Sequence, residues 1–172
     1  MKKIKHDFTV LATTPPMMSS SQCNNYTTID DPTRNMNQGS GSAADQTYFS
    51  SGPRWVRFVG SGGTEIPTSR VPLQRCGTSA SGWYSGIMPT TPDTTTGGDV
   101  CFTWSSGDCV YHNRIEVTNC GSYYVYYLSA PTTGGMRYCT TTSTTMNVTS
   151  QSTTVFSSIS NFFESLWKKI IN

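Results

Sequence analysis

Trp55-Val56-Arg57-Phe58-Val59 sits between Gly52-Pro53 on one side and Gly60-Ser61-Gly62-Gly63 on the other. A short β-branched and aromatic run between turn formers reads as a strand. The same reading extends outward. Arg114-Ile115-Glu116-Val117 alternates polar and apolar at period two, and Tyr123-Tyr124-Val125-Tyr126-Tyr127-Leu128 is a second β-branched and aromatic run, ended by Pro131. Turn signals separate these runs: Gly39-Ser40-Gly41, the stretch from Pro89 to Gly98, and Gly134-Gly135. No window of ten or more residues between Cys23 and Cys139 keeps a helical stripe. The pattern predicts an all-β fold: a small antiparallel, loop-rich domain over 23–139.

The chain has 172 residues, of which 13% are charged and 35% hydrophobic. That length suits one domain with tails, and the composition excludes a coiled coil or long helical bundle. No uncharged apolar run reaches the about 18 residues that a spanning helix needs. All five lysines lie near the ends, at Lys2, Lys3, Lys5, Lys168 and Lys169. Between Cys23 and Cys139, seven scattered arginines face eight acidic residues, with no basic cluster to track phosphates. Nucleic-acid binding by this region is excluded on those grounds.

Residues 1–22 open on Met-Lys-Lys-Ile-Lys, but the apolar stretch that follows is only Phe8 to Ala12, interrupted by Thr9. An export leader needs about 7–15 apolar residues there. The segment is expected to be disordered, with any leader absent from this chain or unusually weak. Residues 140–158 hold 13 Ser or Thr in 19 positions, too little apolar surface to offset ordering, and read as an O-glycosylated stalk. Residues 159–172 form a short amphipathic tail, in which Ile159, Phe163, Leu166 and Ile170 recur at helical spacing.

Six cysteines in a domain with a modest apolar core are the profile of an exported, disulfide-held unit. The spacings argue against zinc, and no C-x-x-C pair occurs to suggest redox catalysis. Six cysteines allow 15 connectivities. The remaining chemistry is sparse. His112 lacks a nucleophile motif and reads as a solvent-edge histidine at a strand start. Asp30-Asp31 reads as a brace for the turn at Pro32, and Gly60-Ser61-Gly62-Gly63 as a hairpin loop rather than a phosphate loop. No catalytic residue, metal site or cofactor is assigned. In a core poor in Leu and Ile, Trp55 and Trp104 are expected inside. Trp83 and Tyr84, placed in a Gly/Ser-rich loop, are the candidate binding surface. Asn25-Tyr26-Thr27 and Asn147-Val148-Thr149 make Asn25 and Asn147 candidate N-glycosylation sites.

Several strings together resemble the eight-cysteine extracellular domain of uromodulin and the pancreatic zymogen-granule membrane glycoprotein. They are Cys23-Asn24-Asn25-Tyr26-Thr27-Thr28-Ile29-Asp30-Asp31-Pro32, Trp55 through Gly63, Val71-Pro72-Leu73-Gln74-Arg75-Cys76, Cys101-Phe102-Thr103-Trp104-Ser105, Tyr123 through Leu128 and Met136-Arg137-Tyr138-Cys139. The resemblance runs from Cys23 to Cys139. It implies three bridges: Cys23–Cys120, Cys76–Cys139 and Cys101–Cys109. The fuller form of the module has four further cysteines, where this chain has Tyr48, Arg70, Asp108 and Gly134. The resemblance would pair Tyr48 with Gly134 and Arg70 with Asp108, so two whole bridges are replaced, the second by opposite charges. It also implies a secreted or cell-surface, non-enzymatic module that presents N-glycans to bacterial lectins as a decoy, or offers a protein-binding face. Tyr127 stands where uromodulin has another glycan acceptor. A structural spacer or adhesion module of a larger matrix or receptor protein is the alternative. Expected partners are proteins or bacterial lectins reached through glycans, with no nucleic acid, and a membrane only through a missing anchor or a partner.

Overall fold

The structure is a computed structural model, and it describes residues 20–143. Seven strands form one sheet: β1 (Thr27–Asp30), β2 (Arg54–Val59), β3 (Ala80–Tyr84), β4 (Thr95–Trp104), β5 (Gly107–Asn119), β6 (Tyr124–Leu128) and β7 (Met136–Tyr138). Their order is β1-β2-β6-β5-β4-β3-β7. The four inner pairings are antiparallel, as the alternating strands predict. The outermost two, β1 with β2 and β3 with β7, run parallel. Those parallel neighbours are joined by long connections, which strand periodicity does not report.

The sheet curls until its two ends meet. Beyond β7, Thr140 bridges Asn35, which follows β1, and Thr141 bridges Glu65, which follows β2. The backbone bonds Met36 N to Thr140 O (2.8 Å), Thr140 N to Arg34 O (2.8 Å) and Thr141 N to Glu65 O (2.8 Å) close this seam. The Gly60–Gly63 loop belongs to the seam and is not a hairpin, since the sheet neighbours of β2 are β1 and β6. The carbonyl of Gly62 accepts from Asn35 Nδ2 (3.0 Å) and Thr140 Oγ1 (2.7 Å).

Aromatic rings fill the interior: Phe49, Phe58, Tyr84, Phe102, Tyr126 and Tyr138 are all buried. Burial raises the phenols of Tyr126 and Tyr138 above their ordinary value, so both stay neutral donors or acceptors. Asn113 Nδ2 donates to the Tyr138 oxygen (3.0 Å), and the Tyr138 hydroxyl donates to Ser129 O (2.8 Å).

Three expectations about the aromatics are corrected. Trp55 is only half-buried, because Val56 and Phe58 take the inward positions of β2 and period-two alternation turns Trp55 outward, against Tyr127. Trp104 packs at the core margin rather than within it. Tyr84 is fully buried in β3, not exposed in a loop. Gly98 makes room for it: a Cβ there would lie 2.5 Å from the Tyr84 hydroxyl oxygen. Thr95 to Gly98 are accordingly strand, not turn.

The ordered unit also runs past its expected limits. Ser20 N donates to Asp93 Oδ1 (2.9 Å), and Gln22 Nε2 to Thr118 Oγ1 (3.0 Å), so residues 20–22 are tied to the sheet. Thr140 is 1% exposed, which takes it out of the expected stalk. The rest of the expected N-terminal segment, the remaining Ser/Thr-rich stretch beyond 143, the amphipathic tail and Asn147 lie outside the described residues.

A buried ion pair holds the seam. Arg34 grips Asp45 through two bonds (NH1 to Oδ2 2.8 Å, NH2 to Oδ1 2.6 Å), and Asp45 Oδ2 also accepts from Tyr138 N (2.8 Å). Removing one partner would leave a charge stranded without water. Asp45→Ala is therefore expected to lower stability by about 3–5 kcal/mol in urea unfolding, whereas an exposed carboxylate contributes little when removed.

Candidate functional site

Three bridges tie the strands together. Cys23, in a 3-10 turn (Ser21–Cys23) before β1, joins Cys120, just after β5, across a span of 97 positions. Cys76, in the loop before β3, joins Cys139, just after β7, across 63. Cys101 and Cys109 join within the β4–β5 hairpin, 8 apart. Cys76 and Cys139 are fully buried with Val71, against Met36 and Trp83. Trp83 is thus half-buried packing, and its Nε1 has no hydrogen-bond partner among the described residues. Tyr84 lies in the core, so the two do not form one exposed surface.

Arg70 and Asp108 meet as an ion pair, Nε to Oδ1 at 2.7 Å, with both side chains about half exposed (51% and 53%). Tyr48 is exposed at the end of a single helical turn, α1 (Asp45–Tyr48), and Gly134 opens toward Gln46. The guanidinium of Arg54 lies 5.1 Å from the Tyr48 ring and that of Arg34 lies 5.4 Å from it.

Asn25 is exposed in the bend between the Cys23 turn and β1. Its surroundings are fixed. Arg57 donates to the Tyr26 oxygen (3.1 Å), and its guanidinium lies 3.7 Å from the centre of the Tyr123 ring. The Tyr123 hydroxyl in turn donates to Cys23 O (2.7 Å). Donation from Arg57 holds the Tyr26 phenol below its ordinary value. The residue before β1 is therefore held at a defined place by a bridge, a cation over a ring and two hydrogen bonds.

His112 is exposed inside β5, opposite Cys101, rather than at the strand's start. Asp31 caps the 3-10 turn Pro32–Arg34: its Oδ1 accepts from Thr33 N (3.1 Å) and Thr33 Oγ1 (2.6 Å), and its Oδ2 pairs with Arg137. Burial pushes the Asp31 carboxyl up, but the Thr33 bonds and the charges of Arg137 and Arg34 outweigh it and hold it below the ordinary value. Asp31, Arg34, Asp45, Tyr48 and Arg137 line a shallow cleft of about 330 Å³. Sequence reading missed this cluster, because Arg34 and Asp45 lie in separate single helical turns too short to show a period that would relate them. Among the described residues no three His, Cys, Asp or Glu side chains gather to hold a metal ion, and no helix is long and apolar enough to cross a membrane.

Residues 56–140 match the family model of the uromodulin-like eight-cysteine domain. The chain is 35% identical over 127 residues to the pancreatic secretory granule membrane major glycoprotein GP2 of Canis lupus familiaris, covering 73% of this chain and 24% of that protein. The Mus musculus GP2 is 36% identical over 128 residues, covering 71% and 23%. Rattus norvegicus uromodulin is 31% identical over 125 residues, covering 72% and 19%. The chain thus spans about a quarter or less of the length of these relatives.

Three measurements check the geometry. Arg70→Cys with Asp108→Cys is expected to form a fourth bridge, detected as loss of free thiol. Arg70→Ala alone is expected to cost only about 0–1 kcal/mol in urea unfolding, as for exposed ion pairs. Because the folded Asp31 carboxyl titrates below its unfolded value of about 3.9, its contribution is complete above that pH and is lost as pH falls through the folded value. Acid unfolding of Asp31→Asn is expected to be less steep than that of the wild type over that window.

Proposed function

We propose that this chain, whose residues 56–140 carry a uromodulin-like domain, is an extracellular, non-enzymatic module that presents an N-glycan at Asn25 to carbohydrate-binding proteins of bacteria. The observation that carries the reading is the setting of Asn25: an exposed acceptor, two residues after a bridged cysteine, beside a clamped Tyr26. A glycan anchored to such a point leaves the surface from a fixed place, which lowers the ordering cost of capture by a lectin. The bridges support an oxidising destination, where cross-links supplement a core of this size. The relatives support the same reading, since the GP2 name describes a glycoprotein of the secretory granule membrane.

The Ser/Thr-rich composition of 140–158 favours a second role in the same protein, as a spacer that holds the domain off a larger assembly. The two roles are compatible. Both leave the domain surface free to be touched.

Expression in a secretory host is expected to yield protein glycosylated at Asn25. A mannose-specific bacterial lectin immobilised on a sensor should capture it, and capture should be lost in a variant that carries both Asn25→Gln and Asn147→Gln and after enzymatic deglycosylation. Asn147→Gln alone should leave capture largely intact. Capture that survives both treatments would mean that the protein surface, not its sugar, is recognised.

A further inference from the structure

We propose that Cys101–Cys109 is a thiol–disulfide exchange site, in which Cys109 takes the incoming sulfur and Cys101 leaves. The three bridges differ in what shields them. Cys76 and Cys139 are both 0% exposed, and Cys23 is 4% exposed with its carbonyl tied to Tyr123, although its partner Cys120 is only half-buried. Cys109, by contrast, lies in the part of β5 from 108 to 112 where every residue is exposed, while its partner Cys101 is 3% exposed. Exchange requires a thiolate to approach one sulfur in line with the bond it breaks. Cys109 is the exposed residue of the pair and Cys101 the buried one, so burial selects the sulfur that is attacked.

The surroundings of Cys101 suit a departing thiolate. Ser85 Oγ lies 3.5 Å from Cys101 Sγ, and a bridged sulfur carries no hydrogen, so the hydroxyl is the donor of this pair. Its single hydrogen points either to that sulfur or to Asp99 O (3.0 Å), and rotation about the C–O bond turns it to the sulfur as charge develops. Directly across the ladder from Cys101 stands His112. Side chains opposite one another on paired strands are separated by about 4.5–5.5 Å at Cβ, so the His112 ring stands on the same face of the ladder as the sulfur that receives the electron pair. The next charges along the same face, Asp99 and Arg114, lie 3.9 Å apart and offset each other. A leaving thiol stabilised as thiolate departs faster.

The step balances without an outside oxidant. The co-reactant is a small thiol. Its thiolate forms a new S–S bond to Cys109 Sγ, the Cys101–Cys109 bond breaks, and Cys101 leaves with the electron pair and takes a proton from solvent. The hairpin persists because β4 and β5 stay paired along its length, including Val100 with Asn113 and Phe102 with Tyr111.

The test incubates the full oxidised chain with reduced glutathione, traps free thiols with N-ethylmaleimide at intervals and maps the peptides by mass spectrometry. The expected result is a glutathione adduct on Cys109 with free Cys101, forming at least about tenfold faster than either other bridge opens, while the far-UV circular dichroism is unchanged. His112→Lys, which sets a permanent cation opposite Cys101, is expected to form the adduct several-fold faster than His112→Gln. An adduct on Cys101, another bridge opening first, or equal rates in His112→Gln and His112→Lys would overturn the proposal.

Discussion

Arg34 carries its charge where water does not reach, with 3% of its side chain exposed, and Asp45 neutralises it there through two hydrogen bonds. An isolated guanidinium in such a place would cost several kcal/mol, so the chain around the pair has to keep both partners in register. Asp45 in turn binds the backbone of Tyr138, and Arg34 NH1 binds its carbonyl (3.1 Å), which fixes β7 against α1. Arg137, one residue earlier, is held by Asp31, Thr33 and the carbonyl of Cys76. Cys139, one residue later, is locked covalently to Cys76. Three consecutive residues therefore carry the ionic and the covalent closure of the sheet.

From this seam the roles of the three bridges separate. The two long ones join segments that are far apart in sequence, and in the chain-entropy picture closing such loops contributes about 4–5 kcal/mol each. Cys76–Cys139 is fully buried, and Cys23–Cys120 is buried at Cys23 and half-buried at Cys120. The short bridge adds less, since β4 and β5 are already paired around it, and it alone includes an exposed cysteine, Cys109. Stability and reactivity thus reside in different cross-links of one small domain. At the Arg70–Asp108 position an exposed ion pair suffices, because the loop it touches is also fastened by the Cys76–Cys139 bridge and by Thr103 Oγ1 donating to Val71 O (2.7 Å).

Much of this was legible in the residues and some was not. The strands at Trp55–Val59 and Tyr123–Leu128 announce themselves by β-branched and aromatic runs between turn formers, and β2 and β6 occupy those places. The length of β5 was hidden, because residues 108 to 112 project beyond the core and so show no alternation. Trp55 was misplaced by size: a large ring suggests the interior, yet Val56 and Phe58 had already claimed the inward face. Trp83 and Tyr84 were misplaced by the glycines and serines around them, although small residues beside β3 serve close packing, as Gly98 does under Tyr84. The Arg34–Asp45 pair left no trace, since two charges in short helical turns look like any solvated surface.

The most direct measurement is non-reducing peptide mapping of the chain recovered from the medium of a secretory host, followed by thermal unfolding of the same material before and after complete reduction under denaturing conditions and return to buffer. The account predicts the three pairs 23–120, 76–139 and 101–109 with no free thiol, one cooperative transition when oxidised, and none once all three are reduced. Free cysteines in the recovered protein together with an undiminished cooperative transition would contradict it.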